Sequence, residues 1–594
     1  MDMSKEVIMS LIRGRGMYER LFSESVSNEA RPNSTQADVD INSWDKTELN
    51  PKNRIDSLRP IQNPTWEICG TSDFGTRFQA RPMLPDLSPS GIDVYIPDHD
   101  MYPPELRSLL ELNASTYIMD ASVQDLAISQ LILRGLEHWS AYHPNFEADY
   151  RGMPFGSRIV FNNISSKVSE MKISLIPAHE FTNKLLTAEA LRSMWAMSEE
   201  SWVPTLDLAH VNFSYQLHDT VSLVHIPLVS DDAFIFKYAT SEAGYLYHEL
   251  RNLLQIPPHP YVASRPLFII TDEKCDGGNG PRVCGFLLTY YQSGTLQQAI
   301  EFNSHHGQSS LKDQLNWAMQ TVEAISHVRI AARMFYSDLK LDNLLLSDDG
   351  GGEHVVLIDF EQAHNWIMYS APEIFYVDLL RILCRAMPDN DKRREYKEWL
   401  QFLVKPEKDL GKGPELYENP EHGYYNTWIA LSSSEQEAAE VFMVGKVLWC
   451  IFEGLGCPQV NPGKRYLFEP EYEFPEFRHT PKALQDLVQS CTAGDPEWVG
   501  QRQSAVIRVG DKLYPKGRSG VRGEPVGTPE ETLAAAKSLW SLRMQNMQSF
   551  VAAQVRLKKG QAREDDFVHL SYLKRPRLEE VWNCLSKFRK EIGN

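Results

Sequence analysis

Along this chain the apolar positions change rhythm twice. Between residues 206 and 290 they fall in short runs rich in β-branched and aromatic residues, VNFSYQL, VSLVHIP, AFIFKYA, PLFIIT and VCGFLLTYY, interrupted by one segment with helical spacing, YLYHELRNLLQ. Runs of that length and composition predict strands, so the region reads as a small sheet carrying one helix. After residue 295 the spacing lengthens, and Leu311, Leu315, Ala318, Met319, Val322 and Ile325 share one face of a helix. Ahead of both, residues 61–205 mix helix-like periodicity (LRSLLELN, VQDLAISQLILRGLEHW) with strand-like SRIVFNNI and MKISLIPA, and predict an accessory α/β region. Residues 23–60 are dominated by Ser, Asn, Asp, Arg and Pro with few aromatics. Such a stretch cannot offset the entropy of ordering, so a disordered lead-in is expected over residues 1–60.

At 594 residues the chain exceeds what one hydrophobic core commonly serves, and 42% hydrophobic residues leave material for two or three domains. A formal charge of −19 argues against a broad electrostatic grip on nucleic acid or an anionic membrane, because neutralising phosphates takes clustered Lys and Arg. No run reaches the roughly 18–20 apolar residues that span a bilayer. The charged start, MDMSKEVIMSLIRGRGMYERLF, lacks the long apolar stretch of a secretory signal, so an intracellular protein, cytoplasmic or nuclear, is expected. The eight cysteines form no C-x-x-C pair and have no companion histidines at zinc-ligand spacing, which predicts reduced, mostly buried thiols.

The strongest chemical signal is YSDLKLDNLLL at 336–346, followed by the polar loop SDDGGGEH and then VVLIDFE at 355–361. D-x-K-x-x-N alone arises by chance in loops, and an apolar strand ending in Asp is common; both, in order and correctly spaced, are far rarer. Together they resemble the catalytic loop H-R-D-L-x-x-x-N and the metal-binding D-F-G of eukaryotic-type protein kinases. The resemblance implies that Asp338 orients the attacking hydroxyl and accepts its proton, while Lys340 neutralises charge on the transferring group. It likewise implies that Asn343, five residues after Asp338, and Asp359, at the end of its strand, supply the oxygen ligands that Mg²⁺ prefers.

Upstream, FIFKYA sets Lys237 in an apolar strand and YLYHELRNLLQIPPHPYV sets Glu249 on the following helix. An ammonium among apolar neighbours needs a partner. The two are similar to the strand lysine and helix glutamate that pair in kinases so that the lysine reaches the α- and β-phosphates of ATP. GFLLTYYQSGTL resembles the hinge, with Leu288 at the gatekeeper place and Thr289, Tyr290 and Tyr291 offering backbone groups to adenine. Downstream, Ala371, Pro372 and Glu373 resemble A-P-E, and EVFMVGKVLWCIF resembles the D-x-W-x-x-G helix with Glu440 where Asp is usual. KRPRLEEVW resembles R-P-x-x-x-E-V, which implies that Arg575 pairs with Glu373. The resemblance covers about 206–590 and points to a divergent group of protein kinase-like proteins familiar from fungi. It implies an α+β, bilobal fold, with a small β-rich lobe at 206–290 and a larger helical lobe at 291–590.

Four departures bear on activity. The segment aligned with G-x-G-x-x-G is SYQLHD, with Ser214, Gln216 and Asp219 at the glycine places, so no glycine lets the backbone close on phosphates. D-F-G has become D-F-E, and Glu361 adds a carboxylate near the metal. H-R-D has become Y-S-D, which removes the arginine that answers a phosphorylated activation segment. Only nine residues, 362–370, separate Glu361 from Ala371, a short stretch for docking a substrate.

Two long insertions, about 376–435 and 497–570, interrupt the larger lobe; the second contains the basic VGDKLYPKGRSGVRGEPVG, expected to be solvated surface. The implied activity is transfer of the γ-phosphate of Mg-ATP to Ser or Thr of a protein substrate, Lys340 standing where tyrosine-specific kinases carry another residue. Two alternatives remain open: a pseudokinase scaffold, favoured by the glycine-free loop and Glu361, and a small-molecule phosphotransferase of related fold. A regulatory partner is expected to work through the N-terminal region or the insertions.

Overall fold

The structure is a computed structural model that describes residues 64–72, 77–83, 90–94, 132–162, 168–218, 220–239, 243–273, 280–306, 310–348, 353–362, 365–386, 390–404, 425–459, 472–501, 505–509 and 512–592. The expected lead-in over 1–60, the helix-like LRSLLELN and Asp219 lie outside the described residues. The fold is mixed α and β, with a curled six-stranded sheet.

The accessory region contributes a five-stranded sheet: β1 (Trp66–Ser72), β2 (Arg77–Pro82), β3 (Ser90–Val94), β4 (Arg158–Phe161) and β5 (Ile173–Ile176), in that order. SRIVFNNI and MKISLIPA supply β4 and β5, and alternation along β4 turns Ile159 and Phe161 inward. A helix over 132–142, the described part of VQDLAISQLILRGLEHW, closes this core with Ile132 and Leu136 against Trp66, Ile159 and Phe161.

The second sheet holds β6 (Thr205–Asp207), β7 (Asn212–His218), β8 (Val221–Ile226), β9 (Ser230–Tyr238), β10 (Phe268–Asp272) and β11 (Arg282–Thr289), in the order β6-β10-β11-β9-β8-β7. Each of the five strand-like runs forms a strand, and YLYHELRNLLQ forms the single helix α1 (Ala243–Gln255). β6 was not expected; it runs parallel to β10, with Ile270 opposite Leu206. Phe181, Leu185, Leu191 and Trp195 belong to the same core as this sheet, so the packing does not change at the boundary drawn near residue 205.

Helix α2 (Leu311–Ile330) starts at a Ser310–Asp313 capping box and buries Leu315, Ala318, Met319, Val322 and Ile325, as their spacing predicts. The hairpin of β12 (Leu344–Asp348) and β13 (Glu353–Leu357) follows, then α3 (Pro372–Ala386), α4 (Asn390–Leu403) and α5 (Ser433–Glu453). Every residue of α5 from Ala439 to Glu453 is buried. It ends where Gly454 takes the left-handed conformation, φ 74°. A short hairpin, β14 (Val506–Val509) and β15 (Lys512–Pro515), precedes the long α6 (Pro529–Lys558) and the final α7 (Leu578–Ile592).

The two insertions are not independent excursions. Phe375, Leu379, Leu380 and Leu383 of α3, Tyr396 of α4, and Met547, Phe550 and Val551 of α6 form one core of their own. Gln548 Nε2 donates to the Tyr396 hydroxyl at 2.6 Å across it. The basic stretch expected to be solvated is partly tied down: Lys516 pairs with Glu473, and Arg518 with Glu531 at 2.5 Å. Among the described residues no helix is long and apolar enough to cross a membrane.

Candidate functional site

The Phe-Ile-Phe-Lys-Tyr run makes β9 alternate, burying Phe234, Phe236 and Tyr238 on one face and turning Lys237 to the other. Phe286 of β11 and Val221 of β8 flank Lys237 in the sheet. Its Nζ donates to Glu249 Oε2 at 2.6 Å and to Asp359 Oδ1 at 2.8 Å. Three residues spread over 122 positions thus meet at one ammonium.

Glu249, 2% exposed on α1, also accepts the Phe360 backbone N–H on Oε1 at 3.1 Å. Asn252 Nδ2 donates to the Phe360 carbonyl at 2.8 Å, and His248 Nε2 lies 2.8 Å from Gln362 Oε1. Residues 248, 249 and 252 share one face of α1, and that face fixes the stretch from Phe360 to Gln362. Left-handed backbone falls on Asp359 (φ 67°) and Gln362 (φ 55°), not on Glu361, so Glu in place of Gly meets no left-handed strain there.

Burial works to lower the Lys237 ammonium, but Asp359, Glu249 and Glu361 outweigh it and hold its pKa above the ordinary value. Burial pushes the Glu249 carboxyl up to about 7, against the pull of Lys237. One ammonium is therefore surrounded by the acidic groups of Asp359, Glu249 and Glu361.

The second group of residues sits on the 336–346 segment. Asp338, 5% exposed, accepts from Lys340 Nζ on Oδ2 at 2.9 Å and from the Trp366 backbone N–H on Oδ1 at 2.8 Å. Asn343 Nδ2 donates to the Asp338 carbonyl at 2.9 Å. Two bonds join this group to the first: Ile358 N–H donates to the Asn343 carbonyl at 3.0 Å, and the Tyr336 hydroxyl to the Ile358 carbonyl at 2.5 Å. From below, Glu440 on α5 accepts Tyr336 N–H at 2.9 Å and Arg329 Nη1 at 2.8 Å.

Leu288 and Thr289 end β11, opposite Ile235 and Phe234, and Tyr290 and Tyr291 open the stretch that leads to the helices, in which the Gly294 carbonyl accepts Leu346 N–H of β12 at 2.9 Å. No described hydrogen bond joins these four directly to the two ionic groups. Ser214 and Gln216 lie within β7; its pairing with β8 is irregular at Ser214 and again between Gln216 and His218, while Gln216 itself stands opposite Ser222. Glu373 and Arg575 meet as expected, Nη1 to Oε1 at 2.5 Å and Nη2 to Oε2 at 3.1 Å.

Among the described residues no group of three or more His, Cys, Asp or Glu is arranged to hold a metal ion by itself. A Mg²⁺ ion at a phosphate would draw only one or two oxygens from the protein, the rest coming from phosphate and water. Asn343, whose backbone carbonyl is bonded to the N–H of Ile358 next to Asp359, and Asp359 itself are the residues that would supply those oxygens. Sequence reasoning missed His248, Asn252, Gln362, Tyr336 and Arg329; of these only Asn252, three residues beyond Glu249 on the same helix face, had a local signal. Compared with known proteins, the chain matches no family model and no curated sequence.

Proposed function

We propose that this chain is a protein kinase-like phosphotransferase of bilobal fold that passes the γ-phosphate of ATP to a Ser or Thr hydroxyl of a protein substrate. The observation that carries this reading is Lys237 held between Glu249 at 2.6 Å and Asp359 at 2.8 Å, with the backbone of Ile358, next to Asp359, bonded to Asn343 of the Asp338–Lys340–Asn343 group. Lys237 steadies the α- and β-phosphates, and Asn343 and Asp359 hold Mg²⁺, which when bound neutralises charge on the phosphates. Asp338, fixed through both carboxylate oxygens, orients the acceptor hydroxyl and takes its proton. Lys340 lies against Asp338 and meets the charge that develops on the transferring group. The β11 end, Leu288 to Tyr291, supplies the apolar wall and backbone groups for adenine.

A scaffold that binds nucleotide without efficient transfer is the second reading, favoured by Glu361 beside the Lys237 cluster and by the lack of glycine between β7 and β8. Thermal unfolding with ATP, with and without Mg²⁺, tests the shared binding step. Saturation at one hundred times Kd should stabilise the protein by roughly 2.7 kcal/mol. The shift should need Mg²⁺ and disappear in Lys237→Met; equal shifts in all three conditions would contradict the site.

A further inference from the structure

Tyr247 is fully buried on α1, two residues before Glu249. Two residues are about 200° of helical turn, so Tyr247 leaves α1 on the side away from Glu249. Its hydroxyl donates to the Val283 carbonyl of β11 at 2.8 Å and accepts the Leu186 backbone N–H at 3.0 Å. The Leu186 carbonyl accepts Val283 N–H at 2.9 Å, Arg282 Nη1 donates to the Leu185 carbonyl at 2.8 Å, and Thr187 bridges to Arg282. Residues 185–187 are thereby laid along the start of β11, and one phenol ties them to both the sheet and α1. Phe181, Leu185, Leu191 and Trp195 bury themselves in the same core as Leu246 and Leu250 of α1.

We propose that residues 181–195 are a built-in clamp on the back of α1 and that Tyr247 is a positioning residue for Glu249. This rests on the phosphotransfer reading for its consequence, though not for its geometry. The front of α1 carries the contacts to Lys237 and Phe360; the back is held by chain that precedes the sheet. A helix free to swing outward would break the 2.6 Å contact of Glu249 with Lys237, so the N-terminal segment sets how well the phosphate-binding lysine is aimed. Control through this region follows, since whatever loosens residues 185–187 loosens the site.

The test compares the full-length chain with Tyr247→Phe, Arg282→Met, Glu249→Gln and the double variant Tyr247→Phe/Glu249→Gln, by hydrogen exchange across 243–255 and by the Kd of Mg-ATP. Arg282→Met releases the Leu185 carbonyl without altering α1. The clamp predicts faster exchange in α1 for both Tyr247→Phe and Arg282→Met, and about ten-fold weaker nucleotide binding for Tyr247→Phe. It also predicts that the double variant binds no worse than Glu249→Gln, because both changes act through one contact. Unchanged exchange in both single variants overturns the clamp. Faster exchange with additive losses of affinity overturns the positioning role. A wild type that binds no nucleotide defeats the phosphotransfer reading instead, and the exchange comparison then decides the clamp alone.

Discussion

The backbone N–H of Trp366 donates to Oδ1 of Asp338 at 2.8 Å, and the Trp366 ring centre lies 5.9 Å from the Lys340 ammonium. One residue of the segment between Asp359 and Ala371 thus rests on both candidate catalytic side chains. The Trp366 carbonyl in turn accepts the N–H groups of Tyr369 and Ser370, each at 2.9 Å. Tyr369 and Ser370 are each 4% exposed, so the segment is fastened by packing and backbone bonds.

The first prediction is that phosphorylation of this segment does not switch the protein on. A phosphate brings about −1.5 to −2 charges and orders a loop by meeting cations, and Ser337 stands where an arginine would answer it. Activity before and after phosphatase should agree, and Tyr369→Phe and Ser370→Ala should stay within about two-fold of wild type. A large fall upon dephosphorylation, reproduced by either variant, would overturn this.

The Glu373–Arg575 pair gives the second. Arg575 also donates to the carbonyls of Ala493 at 2.8 Å and Ala438 at 2.9 Å, and its guanidinium lies 4.7 Å from the Phe442 ring centre. Replacing Glu373 by Gln leaves a buried guanidinium without its charge partner, a loss on the order of 3–5 kcal/mol. Urea unfolding reads it directly. A midpoint matching wild type would mean that the pair contributes nothing to stability.

What could be read from the sequence were groups whose signature is local. Lys237 stands out as a charge inside an alternating apolar strand, and Asp338, Lys340 and Asn343 share eleven residues of one segment. The links that make these a site are not local. His248 reaches Gln362 across 114 positions and Asn252 reaches Phe360 across 108, and no short-range pattern encodes a bond of that span. β6 is three residues long and owes its form to β10, not to its own propensity. That the two insertions share a core was not legible, because the apolar faces of α3, α4 and α6 meet only in the folded chain.

His248 supplies a pH dependence. Burial pulls its pKa from 6.5 down to about 4, with Gln362 opposing and Arg251 adding to the effect. Between those values the unfolded chain takes up a proton that the folded chain refuses. Stability from this group is therefore full above pH 6.5 and falls as pH drops toward 4, by roughly 3 kcal/mol in all. Glu440, pushed up to about 7 by burial, has the opposite sign, its contribution fading as pH rises from 4.5 through 7. It is common to wild type and His248→Gln and drops out of their difference. The stability of wild type relative to His248→Gln should shrink as pH falls from 7 to 4; parallel curves would contradict the buried, neutral ring.

Phosphoryl transfer aimed by Asp338 is read by incorporation of labelled γ-phosphate from Mg-ATP into mixed protein substrates by the full chain and by Asp338→Asn. Asp338 accepts from Lys340, Asn343 and Trp366, and its proposed role is at the attacking hydroxyl and not at the bound nucleotide, so the variant should still bind nucleotide. Label should appear on Ser and Thr with wild type and fall by at least about 100-fold in Asp338→Asn, with Mg-ATP affinity within about three-fold. Equal labelling by both proteins, or nucleotide binding with no labelling by wild type, would contradict it.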